Sequence, residues 1–122
     1  MELISVTLRF SDSATADRVA GAVTDLRGRE IVGSRLVFPS PDELHAIDPL
    51  LVTFAIGLVE GLVSEAGKQL GRAAIKWLVT KVREHLSPGQ TATLVVKGES
   101  LEIGTTDDAR HEEEFAAKVI RN

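Results

Sequence analysis

Apolar side chains occupy every second position at the start of the chain, Ile4, Val6, Leu8 and Phe10, with Ser5, Thr7 and Arg9 between them. A period of two belongs to a strand with one buried face, so residues 2–10 are predicted to be strand. The period then lengthens: Ala16, Val19, Ala20, Val23 and Leu26 share one helical face, and Ser11 or Ser13 can cap that helix through its hydroxyl. Gly28 supplies the stop, because it reaches left-handed backbone angles without a Cβ penalty. "EIVGSRLVF" is β-branched and apolar enough for a second strand, broken at Gly33 by a bulge. Pro39 and Pro41 end it, and "PSPDELHAID" reads as a loop.

From about Ile47 to Leu86 the pattern predicts helix, either one long helix or two joined between Gly67 and Gly71. Pro88 in "SPG" ends it. A 100° projection puts Val52, Ala55, Val59, Leu62, Ala66, Leu70, Ala73 and Trp77 on one face, of which Val59, Leu62, Leu70 and Trp77 are the expected core, with Trp77 resting on the sheet. "ATLVV" and "SLEI" then flank "KGES" as a hairpin, with Gly98 in the turn. A C-terminal helix follows, its buried face Phe115, Ala116, Val119 and Ile120. The predicted order is β-α-β-α-β-β-α: one α+β domain over residues 1–122, with a small, mainly antiparallel sheet, helices on one of its faces and one long central helix. Strands one and two, joined through a helix, are parallel neighbours or flank another strand.

The run "PLLVTFAIGLVEGLV" decides the functional reading. A membrane span needs about 20 apolar residues, and this run is shorter and contains Glu60. As a helix it is apolar most of the way round, so it needs cover on more than one side. Leu50, Leu51, Phe54, Gly57, Leu58 and Gly61 are therefore the expected interface, facing another copy or a different protein. The alternative cover is the chain's own N-terminal segment or the 39–48 loop. Gly57, Gly61, Ser64, Gly67, Gly71 and Ala74 recur at intervals of three or four, which fits either close approach by another backbone or a break between two helices.

Lys68, Arg72 and Lys76 recur every fourth residue and can face an anion, such as phosphate or a lipid headgroup. With residues 50–63 dipping into lipid they would make a peripheral membrane module, the alternative to a protein interface. A solvated helix face is the simpler account of the stripe. The net charge is −4, and basic and acidic side chains number five and seven in residues 1–46, five and four in 47–86, and four and seven in 87–122. No basic face is concentrated enough for nucleic acid, and no partner of that kind is expected. The absence of cysteine removes thiolate chemistry and disulfide scaffolds. "MELISVTLRF" lacks the form of a signal peptide, which points to the cytoplasm.

Catalytic and metal motifs are missing from the pattern. His45, His85 and His111 are scattered; Asp107 and His111, like Asp108 and Glu112, are four apart, but acids at a helix start already have an electrostatic reason to be there. Glu60 and Glu65 do not share a helix face, and "GKQLG" lacks the spacing of a phosphate loop. No enzyme, cofactor or metal is expected.

The stretches "DPLLVTFAIG", "LGRAAIKWLVTKVR", "TATLVVKGESLEI" and "EEFAAKVI" resemble, in their order and in their apolar and small residues with one Trp, the effector-associated constant component proteins of bacterial conflict systems. "LRGREIVGSRL" departs from the charged Arg-Glu-Asp stretch common in that family. The resemblance implies a small non-catalytic adaptor that couples effectors, such as caspase-like or trypsin-like peptidases, to a sensing component. It carries over no catalytic residues.

Overall fold

The computed structural model describes residues 2–37, 48–106 and 109–120. His45, Asp107 and Asp108 lie outside them. Strand β1, Glu2–Phe10, buries Ile4, Val6, Leu8 and Phe10 and leaves the odd-numbered side chains outside, as the alternation predicts. Helix α1, Ser13–Asp25, is capped by Asp12 rather than by either serine: its carboxylate accepts the Thr15 backbone N–H at 2.7 Å. Asp12 stands in extended backbone immediately before the helix, where a side-chain oxygen reaches an otherwise unpaired N–H. Gly28 takes a φ of +78° as the chain leaves the helix.

The predicted bulge at Gly33 is a tight turn. Val32 (φ 47°) and Gly33 (φ 79°) join β2, Glu30–Ile31, to β3, Ser34–Val37, both in the left-handed region that such two-residue hairpin turns require. Gly33 is also packed, since a Cβ there would press on the Leu70 side chain.

The main correction falls on the apolar run. Leu51–Leu58 is strand β4, not the opening of a long helix. It pairs antiparallel with β1 along its length, from Glu2 opposite Leu58 to Arg9 opposite Leu51. Val52, Phe54, Ile56 and Leu58 enter the core, while Leu51, Thr53, Ala55 and Gly57 take the other side of the sheet. The odd-numbered set faces the uncovered side yet is apolar at Leu51, Ala55 and Gly57, so the run lacks the clean alternation expected of a strand with one solvated face. That is why its composition imitates a buried helix.

The central helix α2 is thus shorter, Glu65–Glu84, with Ser64 as its cap accepting the Gly67 N–H at 3.0 Å. Strands β5, Ala92–Val96, and β6, Glu99–Ile103, form the expected hairpin, turning at Lys97 and Gly98 with φ of 53° and 80°. Helix α3, Ala109–Val119, buries Phe115, Ala116 and Val119.

The six strands run β2-β3-β4-β1-β5-β6, and every neighbouring pair is antiparallel. β1 and β3 therefore point the same way with β4 between them, the flanking arrangement. The buried sides of all three helices join the even-numbered side chains of β1 and β4 in one core. The architecture is α+β in two layers: helices on one face, and among the described residues no helix on the other.

Candidate interaction surface

The uncovered face can be built row by row from the strand register. Gly57 lies between Arg35 and Leu3; Ala55 between Val37 and Ser5. Farther along, Thr7 lies between Thr53 and Val95, and Arg9 between Leu51 and Thr93. Glycine, alanine, serine, threonine and valine thus make up its middle, short side chains without charge. Its charged residues are confined to two diagonally opposite corners, Glu30 beside Arg35 at one and Arg9 with Glu102 at the other. Leu3 is 56% exposed on this face.

Two of the predicted interface residues, Leu51 and Gly57, fall on this open face, and the other four land elsewhere. Phe54 and Leu58 are 1% and 2% exposed, so no partner reaches their side chains without opening the core. Gly57 is buried in β4, Leu50 and Leu51 are half-buried, and Gly61 sits in the β4–α2 connection with a φ of +72°. The same strand removes the lipid-dipping helix, because residues 51–58 are not helical. No helix among the described residues is long and apolar enough to cross a membrane.

Of the expected core, Val59 is 52% exposed just past β4, whereas Leu62 and Trp77 are half-buried against the core. Leu70 is also half-buried, lying over Gly33. Rather than the sheet, Trp77 faces the first helix: it lines a shallow apolar groove with Val19 and Ala22 of α1 and Leu26 just past its end, and Lys81 stands 5.8 Å over its ring.

The small-residue strip divides among a strand, a turn and a helix. Its backbone approach is internal: a Cβ on Gly67 would collide with the Gly61 carbonyl, and one on Gly71 would meet Leu62 at 3.2 Å and Leu58 at 3.4 Å. The glycines let the β4–α2 connection lie directly on the helix it leads into.

The basic stripe is turned largely to the third helix. Arg72 Nε donates to the Ile120 carbonyl at 3.0 Å, and Lys76 Nζ lies 3.7 Å from Glu113. Lys68, one turn earlier, is half-buried. Farther along, Arg83 meets Glu112 at 3.0 Å with both side chains mostly buried, and its Nε donates to the Gly104 carbonyl. These contacts fasten α3 to α2.

A second polar cluster holds the start of α1. The Thr15 hydroxyl and the Gln90 amide donate to Asp12 Oδ2 at 2.9 and 2.7 Å. The Thr15 backbone N–H and hydroxyl, helped by the positive charge of Arg18, hold the Asp12 carboxyl below its ordinary 3.8. Gln90 also accepts the Ser87 N–H at 2.8 Å, so the cluster ties α1 to the α2–β5 connection. Among the described residues no group of three or more histidine or acidic side chains is placed to hold a metal ion.

The open-face residues Ser5, Thr7, Thr53, Ala55 and Val95 were missed as a site. Their signal was the polar half of the alternation in β1, which marks a surface but not that a whole sheet shares it. The chain matches no family model, no curated protein and no solved structure.

Proposed function

We propose that the chain is a non-catalytic adaptor whose docking surface is the uncovered face of its sheet. The observation that carries this reading is a six-stranded sheet that, among the described residues, has helices on one face only and bears short uncharged side chains at the centre of the other. Sheet faces pack on one another at about 10 Å, with side chains from both interdigitating.

The occupant is a second copy of the chain. Five inter-strand spacings of about 4.8 Å and strands of about 27 Å, less two vacant corners, give on the order of 500 Å² before side-chain relief. That approaches the ~800 Å² per partner of an ordinary specific interface and suits a reversible dimer. Each charged corner holds one acid and one base. A two-fold contact that lays one corner over the other can therefore set opposite charges together.

The resemblance to effector-associated constant component proteins adds a second partner class, an effector of the peptidase type, and places the adaptor in bacterial defence. Thiol trapping tests the dimer face, since the chain has no native cysteine. Thr7→Cys, at the centre of the face, is expected to give a disulfide-linked dimer under mild oxidation. Asp17→Cys, exposed on α1, is expected to stay monomeric. Equal cross-linking of both, or of neither, would remove the face from the proposal.

A further inference from the structure

The sheet has a gap along the first half of β1. Phe10 N–H donates to the Leu50 carbonyl in the same register as the β1–β4 ladder, so even-numbered β1 residues turn their backbone groups toward β4. The odd ones turn toward β5. Thr7 and Arg9 face Val95 and Thr93 there, but the last β1–β5 pair is Val6 with Val96, after which the chain turns away at Lys97 and Gly98. Leu3 therefore aims its N–H and C=O past the end of β5, and among the described residues no strand lies on that side.

A cleft of about 430 Å³ opens at this place. Lys97, Glu99 and Lys118 form its far wall, with Lys118 and Glu99 paired at 3.0 Å. Leu62, Val119 and Ile120 line its helix side. Glu2 borders it and accepts the Leu62 N–H at 3.2 Å, which fixes the β4–α2 connection at its mouth.

We infer that this slot takes a short extended peptide from a partner protein, added to the edge of β1 in line with β5. Backbone groups repeating along an edge are met by another extended backbone, which repeats at the same interval. In the β1–β5 register Lys97 falls opposite Ser5, so the open stretch is Glu2 to Ile4, about 10 Å long, room for three residues before the Lys97–Gly98 turn stops the track. A peptide residue opposite Ile4 shares the inward parity of Ile4 and sends its side chain toward Leu62, Val119 and Ile120. Its neighbour opposite Leu3 turns outward beside that exposed side chain. The occupant is thus an extended segment with one medium-sized apolar side chain at the end nearest the turn and an outward-facing residue beside it.

This inference deepens the adaptor reading and rests on it, but fails separately: a chain that dimerises through its open face and ignores peptides keeps the first and loses the second. The probe is the capped peptide acetyl-Thr-Leu-Val-Val-amide, the sequence of residues 93–96 that the chain already lays against β1. In an NMR titration of the full chain, millimolar peptide is expected to shift the Leu3 amide resonance and slow its hydrogen exchange at least tenfold. Strand pairing uses alternate peptide amides, so of two copies N-methylated on the two alternate sets, one should bind and the other should not. No response at Leu3 overturns the inference. So does equal binding by both methylated copies, which would mark a side-chain pocket rather than a strand slot.

Discussion

Phe54 and Ala55 are consecutive residues of β4 whose side chains leave opposite faces of the sheet, and replacing each in turn tests the strand directly. Phe54 is 1% exposed and stands opposite Val6 in the core. Truncating it to alanine removes a buried ring and leaves a cavity that its close-packed neighbours fill only in part, a loss of about 3–5 kcal/mol. Against a total stability of about 5–15 kcal/mol this is a large fraction. With a urea slope of about 1–3 kcal/mol/M the midpoint should fall by about 2 M. Ala55→Arg places its side chain in solvent over the open face and should cost within about 0.5 kcal/mol. Both variants are read by urea denaturation followed by circular dichroism, at protein concentrations low enough to keep the chain monomeric. In a helix, consecutive positions lie only 100° apart, and such an abrupt contrast is not expected. Comparable losses at the two positions, or a loss below about 1 kcal/mol for Phe54→Ala, would refute the placement of β4.

Three other perturbations probe how the layers are joined. Gly67→Ala should destabilise the fold despite better helix propensity, because its Cβ meets the Gly61 backbone, whereas Gly21→Ala in α1 meets nothing within 4 Å and should stabilise by about 1 kcal/mol; thermal melts compare them. Glu112→Ala removes the carboxylate facing Arg83 in a mostly buried site, leaving the guanidinium its bond to the Gly104 carbonyl, and should cost about 3 kcal/mol, while Arg83→Met with Glu112→Leu should cost less than the sum of the single changes in a double-mutant cycle. The Asp12 carboxyl titrates below 3.8 in the folded state, so its contribution is complete above that pH and lost as pH falls through the folded value. Urea midpoints measured from pH 6 downward should show that acid-labile component in the wild type and lack it in Asp12→Asn.

The sequence exposed most of the elements because their periods are clean: the alternation in β1, the helical stripe of α1, Gly98 in the β5–β6 turn and the Phe115, Ala116, Val119 face of α3 are all realised. The error at residues 47–64 has a physical origin. "LLVTFAIGL" carries apolar residues on both parities, because Leu51, Ala55 and Gly57 stand on the open face while Val52, Phe54, Ile56 and Leu58 enter the core. Pattern alone does not separate such a strand from a buried helix. The deciding marks were present: β-branched and aromatic residues at Val52, Thr53, Phe54 and Ile56, then Gly61 and the Ser64–Glu65 helix start. Val32 hid the β2–β3 turn, since a β-branched residue rarely adopts a φ of 47°. Reading the apolar run as helix put Phe54 and Leu58, which are core, on the same expected interface as Leu51 and Gly57 of the open face, and so hid that face.

The adaptor reading is tested most directly by sedimentation velocity of the wild type and Ala55→Arg across a hundredfold concentration range. The account predicts a wild type that shifts from monomer to dimer as concentration rises, and an Ala55→Arg protein that stays monomeric with an unchanged circular dichroism spectrum. A wild type that remains monomeric throughout, or an Ala55→Arg protein that dimerises equally well, would contradict the open sheet face as the docking surface.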